Sequence, residues 1–215
     1  MSPRPYRLGQ RQADIDESRR RILDAARGLL GESERYTAFT IDAVAQRADV
    51  ARATVYYQFG SKTGLLEALC DALAERAGMA ELASAFTVND PDQALGVLIS
   101  VFARFWSTDR LVMRRLRALA ALDPDVATVI DARDQRRRHA LRTLLQRRDD
   151  IVDRTHALRV AHMLTSFETY DALLGPRQRP ADAVPVLTQL IDTAVRSPAP
   201  TRTARPNRAI PSRSR

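Results

Sequence analysis

The chain has 215 residues, 45% of them hydrophobic, and a formal net charge of +8, which is ample apolar material for one large domain or two modest ones. No stretch approaches about 18 consecutive apolar residues, and Met1 to Asp16 carries arginines but no apolar run, so the expectation is a soluble, cytoplasmic protein without membrane spans or a secretory signal. The single cysteine, Cys70, excludes an internal disulfide and a zinc finger.

The positive charge is not spread over the chain. Arg4, Arg7 and Arg11 near the start, and Arg202, Arg205, Arg208, Arg213 and Arg215 near the end, have no acidic companions, and they account for the whole excess. Residues 13 to 196 are formally neutral, so net charge alone does not define a nucleic-acid binder; two basic arms flank a balanced body.

In chain order, residues 1–16 read as a basic disordered arm. A first helix spans Glu17 to Leu30, with Ile22, Ala25, Ala26, Leu29 and Leu30 on one face. Thr40 caps a short second helix, Ile41 to Arg47, and a third follows the tight link Ala48 to Ala51. Ser61 caps a fourth, from Lys62 to about Gly78. Asn89 or Asp90 with Pro91 opens a fifth, to about Trp106, and Asp109 to Ala121 forms a sixth. Asp123-Pro124 starts a seventh that extends toward Arg148. Two more cover Asp153 to Leu174 and Pro180 to Arg196, separated by Gly175-Pro176. Residues 197–215, with four prolines among arginine, serine and threonine, read as a disordered tail. The fold class is all-α, with about nine helices and no internal repeat.

Residues 40 to 59 form a helix-turn-helix pattern: a short helix, a link too small for anything but a turn, and a second short helix. Ile41, Val44 and Ala45 make one apolar stripe, Val50 plugs the turn, and Val55 with Phe59 anchors the second helix inward. At 100° per residue Ala53, Thr54 and Tyr57 then point outward, and Arg52 sits in the first turn. That face suits a DNA major groove, because Arg52 can make a bidentate contact to a guanine edge and the small Ala53 permits close approach. Thr40, Thr54, Tyr56, Gln58 and Lys62, the last being the only lysine in the chain, lie on the rim and can donate to phosphates. The helix N-termini at Thr40 and Ser61 add N–H groups for the same anions. A plain αα corner in a helical bundle, with the tyrosines as core or rim packing, is the alternative reading of this spacing.

The segment resembles the tetracycline-repressor (TetR/AcrR) transcription regulators. The likeness runs from Arg21-Ile-Leu-Asp-Ala-Ala-Arg-Gly-Leu-Leu30 through Phe39-Thr-Ile-Asp-Ala-Val-Ala-Gln-Arg-Ala48 to Ala53-Thr-Val-Tyr-Tyr-Gln-Phe59, then Ser61-Lys62 and Leu65-Leu66. Three positions depart from the family pattern: Asp49 replaces the usual turn glycine, Ala51 the usual capping serine, and Gln58 the usual histidine. The resemblance implies a DNA-binding domain over residues 17–63 and a helical ligand-binding and dimerisation domain over 64–196. It implies a homodimer on a palindromic double-stranded operator, released by a small apolar effector. Phe102, Phe105, Trp106, Met113, His162, Met163, Phe167 and Tyr170 are then candidates to line the effector cavity. The last two predicted helices, with Val186, Leu187, Leu190, Ile191 and Val195 among their apolar residues, are candidates for the dimer face.

Other readings are weaker. Gly60-Ser-Lys-Thr63 lacks the glycine spacing and preceding strand of a phosphate loop. His139, His156 and His162 lack metal spacing, so neither metal nor cofactor is expected. No nucleophile or acid/base constellation is visible, which argues against an enzyme. The rivals from other classes are a sequence-tolerant DNA-packaging protein acting through the arginine arms and, less favoured, a helical enzyme whose site shows no motif.

Overall fold

The computed structural model describes residues 4–31, 39–174 and 179–196, and in these it is helical throughout, without strands. Ten α-helices occur: α1 Arg4–Gly31, α2 Ile41–Ala48, α3 Arg52–Phe59, α4 Lys62–Arg76, α5 Pro91–Thr108, α6 Arg110–Ala120, α7 Pro124–Leu145, α8 Arg154–Leu164, α9 Phe167–Leu173 and α10 Pro180–Arg196. A 3-10 helix, Met79–Phe86, follows α4, giving eleven helical elements among the described residues against about nine expected. The proposed tail and the Gly175-Pro176 break lie outside the described residues.

The starts follow local chemistry. Thr40 and Ser61 accept hydrogen bonds from Ala43 N and Gly64 N, and Asp90, Asp123, Asp153 and Ser166 cap α5, α7, α8 and α9 through their side chains. Pro91 and Pro124 sit in the first turn, where a missing N–H costs nothing.

Four differences from the sequence reading have physical causes. First, α1 begins at Arg4 rather than Glu17, so the segment expected to be a disordered arm is helical from Arg4 on. Its side chains form helix-spaced pairs, Gln12 with Asp16 and Arg20 with Glu17, which periodicity of apolar residues does not register. Second, the 3-10 helix arises where Gly78 turns left-handed (φ 69°) and Arg104 of α5 holds the turn, donating to Ala77 O at 2.9 Å and Gly78 O at 3.2 Å. Third, α7 stops at Leu145 and does not reach Arg148. Fourth, the predicted eighth helix is broken into α8 and α9 at Thr165-Ser166. There the Thr165 hydroxyl donates back to Ala161 O at 2.8 Å and Ser166 caps the next helix. The carbonyls freed by the break are satisfied from elsewhere: Trp106 Nε1 donates to Thr165 O at 3.0 Å, and Arg137 to His162 O at 2.5 Å.

Helices α1 to α3 pack with the start of α4 as a small head, closed around buried Ile22, Ala26, Val44, Val55 and Leu65. The remaining helices form a body in which α10 packs on α5 and α8, while α6 lies between α1 and α7. Among the described residues no helix is long and apolar enough to cross a membrane.

Candidate nucleic-acid interface and effector cavity

The head is built around the turn between α2 and α3. Asp49 occupies the left-handed region at φ 54°, the only non-glycine among the described residues to do so, and Val50 N closes the turn on Ala45 O at 3.1 Å. A non-glycine residue there costs on the order of 1 kcal/mol. Ala51 gives α3 no side-chain cap, a further loss of about 1 kcal/mol. Burial offsets both: the Val55 side chain is fully enclosed, a contribution of about 1.5 to 3 kcal/mol, and Phe59 packs beside it. The α3 helix is therefore held by its inner face rather than its ends. Gly64 completes the frame, since a Cβ at that position would lie 2.1 Å from Phe59 O and keep α3 from approaching α4.

Opposite Val55, Tyr57 is 76% exposed, and Arg52, Ala53 and Tyr56 are also on the surface. Thr54 is half-buried and Thr40 exposed. In the free protein Arg52 is turned toward α2, where its Nη1 donates to both Asp42 oxygens at 2.7 and 2.9 Å and its Nη2 to Tyr56 Oη at 3.2 Å. The Tyr56 hydrogen bond, then the Asp42 charge, raise the Arg52 pKa further above its already high ordinary value. Gln58 faces α1, donating to Ile15 O at 3.2 Å, while Arg19 donates to Gln58 O and lies 4.5 Å above the Phe59 ring. Lys62 is ion-paired with Asp123, the residue that caps α7. That pairing, ahead of burial, which opposes it, holds the Asp123 carboxyl below its ordinary pKa. Of the eight rim and reading positions, Lys62 alone bridges head and body; no sequence signal marks Asp123 as its partner.

Further links join head to body. Arg27 of α1 donates to Asp109 at 2.5 Å, Arg115 of α6 to Leu30 O at 2.8 Å, and Arg133 of α7 to Glu67 O at 2.9 Å.

The body contains a cavity of about 300 Å³ between α4, α5, α6 and α7. Phe102, Phe105, Trp106 and Met113 line it, and the three rings are in mutual contact with centroids 4.6 to 6.4 Å apart. The other four candidates are not among its lining residues. Phe167 stands behind Trp106, edge to face at 5.7 Å; His162 holds Asp134 O at 3.1 Å; Tyr170 is buried in the core; Met163 is exposed. Burial, then the charge of Arg137, lowers the His162 pKa. Sequence reading missed the polar end of the cavity, formed by Arg117, Arg133, Arg136, Arg137, Asp71 and Asp134. The signal was the Arg136-Arg137-Arg138 run on α7, which reads as solvated surface until helical rotation puts Arg133, Arg136 and Arg137 on one side. Cys70 also lines the cavity, and burial pushes its thiol pKa up. Among the described residues no group of three or more His, Cys, Asp or Glu side chains is placed to hold a metal.

Residues 22–69 match the model of the tetR family of bacterial regulatory proteins. No curated protein matches the chain. Solved structures share its fold. A transcriptional regulator from Rhodococcus sp. Rha1 is 19% identical over 82% of this chain and 95% of its own (TM-score 0.62). A TetR transcription regulator from Haloarcula marismortui is 20% identical over 84% and 99% (TM-score 0.63). The TetR-family transcriptional regulator PfmR from Thermus thermophilus is 26% identical over 82% and 97% (TM-score 0.57). The head and its turn form a helix-turn-helix that lies within the matched segment. Over residues 22–69 the chain is similar to the tetR family of bacterial regulatory proteins.

Proposed function

We propose that the protein is a cytoplasmic, homodimeric repressor that leaves a palindromic operator when a small, largely apolar effector enters the cavity lined by Phe102, Phe105, Trp106 and Met113. The observation that carries this reading is the orientation of α3, anchored by Val55 with Arg52, Ala53 and Tyr57 turned outward. Arg52 leaves Asp42 to read a guanine edge, and Ala53 and Tyr57 lie against the bases. Thr40, Thr54, Tyr56, the second amide N–H of Gln58, and Lys62 released from Asp123 fix the register on phosphates.

The face supporting a dimer is narrower than the apolar content of α8 and α10 suggests. Leu158, Leu187, Ile191 and Val195 are buried in the chain's own core, which leaves Met163, Val186 and Leu190 outside. Pairing these with a second copy sets two α3 helices about 34 Å apart, or a multiple of that spacing, on one side of the duplex.

Coupling to the effector runs through α6, which carries Met113 and Arg117 on the cavity side and Arg115 on Leu30 of α1. A typical coupling of about 1 to 3 kcal/mol suffices to empty an operator. The test is selection from a random duplex library followed by binding measured against salt. An enriched inverted repeat with a steep salt slope is expected; a library that yields no repeat overturns the reading.

A further inference from the structure

Resting on the effector reading above, we propose that this cavity takes an amphipathic carboxylate: a small molecule with an apolar body and one anionic head. The aromatic wall accounts for the body. At about 300 Å³ the cavity holds a compact molecule, near the lower limit of about 300 to 1,000 Å³ for small-molecule sites.

The head group follows from charge and hydrogen bonding at the other end. Four arginines, Arg117, Arg133, Arg136 and Arg137, face two carboxylates, Asp71 and Asp134. Asp134 is already engaged on both oxygens, which accept from Arg117 at 2.7 and 2.8 Å, and one also from Arg137 at 3.2 Å. Burial would raise its pKa, and the two guanidiniums overcome this and hold it ionised. Asp71 stands at the rim and takes Arg133 at 2.8 Å. A cationic ligand would therefore find no unengaged carboxylate among these lining residues.

An anion finds donors. Arg137 is almost fully buried and its Nε, like those of Arg117 and Arg133, has no hydrogen-bond acceptor among the described residues. Arg136 is exposed at the cavity lining and makes neither a hydrogen bond nor an ion pair with them. Unmatched buried N–H groups are costly, and a carboxylate entering among guanidiniums gains charge-assisted, bidentate hydrogen bonds. Because Asp134 of α7 ties down Arg117 of α6, a second carboxylate competing for that arginine acts directly on the helix that touches α1.

The test uses the intact protein and three probes of one length: octanoate, octanol and octylamine. Trp106 is the only tryptophan and lines the cavity, so its fluorescence reports occupancy without DNA. Octanoate is expected to bind at least about tenfold more tightly than either analogue. Arg136→Glu, at an exposed and unpaired position, is expected to weaken octanoate about tenfold and leave octanol unchanged. Octylamine or octanol binding as tightly as octanoate, no binding by any of the three, or an Arg136→Glu protein with unaltered selectivity overturns the proposal. Operator release is measured separately: octanoate that binds but does not weaken the DNA complex supports this ligand class and overturns the ligand-released repressor reading.

Discussion

At the scale of single residues, the free protein keeps the side chain proposed to read the bases occupied. Arg52 bonds Asp42 and Tyr56, so in the proposed complex DNA outcompetes a carboxylate already in place. Replacing Asp42 by Asn removes both that competitor and a negative charge facing the duplex, and is expected to tighten operator binding several-fold in fluorescence anisotropy at fixed salt. Arg52→Ala is expected to cost about ten- to a hundredfold in discrimination at one base pair, while other positions keep their preference. Equal loss across all sequences would show that Arg52 only meets phosphate. Outward Ala53 and Tyr57 were legible from the position of Val55 alone, because helical geometry fixes what lies opposite a buried anchor, whereas Thr54 from the same reading is half-buried. The partners Asp42 and Asp123 were not, since an ion pair between separate helices leaves no periodic trace.

At the scale of elements, α2 and α3 tolerate poor local chemistry at their junction. Asp49→Gly relieves the left-handed strain and Ala51→Ser supplies the missing cap; each is expected to raise stability by up to about 1 kcal/mol, read as a higher Tm. Asp49→Val, β-branched at positive φ, is expected to lower it. Boundaries set by capping chemistry, such as Thr40, Ser61, Asp90 and Asp123, were readable because the signal is local. The break between α8 and α9 was not. It depends on Trp106 and Arg137 reaching across from α5 and α7 to satisfy freed carbonyls, a tertiary cause without a glycine or proline to announce it. The early start of α1 was not legible for a different reason: the helix-spaced pair before Glu17, Gln12 with Asp16, is polar and leaves no apolar periodicity.

At the scale of the whole molecule, Arg148 ties distant parts of the body together. It is buried, and pairs with Asp92 of α5 at 2.5 Å, Asp150 at 2.8 Å and Asp192 of α10 at 3.1 Å. The three acids stay partly in water, so Arg148→Met is expected to cost about 2 kcal/mol in chemical denaturation, less than the ~3 to 5 kcal/mol of breaking a fully buried pair. The same arginine, ahead of burial, which opposes it, draws the Asp150 carboxyl pKa down to about 2. A depressed carboxylate contributes stability that is complete above its unfolded pKa and is lost as pH falls toward the folded one. Stability is therefore expected to fall between the ordinary aspartate range and about pH 2, and Asp150→Asn to flatten that limb of the acid titration. For assembly, Leu190→Glu, on the exposed side of α10, is expected to give monomers in sedimentation that retain their helix content and bind half an operator weakly.

The pairing of Lys62 with Asp123 has a practical consequence. Because no other lysine exists in the chain, this is its single ε-amine, and it sits where the head meets the body. An acylating reagent should modify it slowly while the carboxylate holds it and faster once the two parts separate. Mass spectrometry of the unlabelled wild-type protein can thus time the transmission of a signal without any introduced tag.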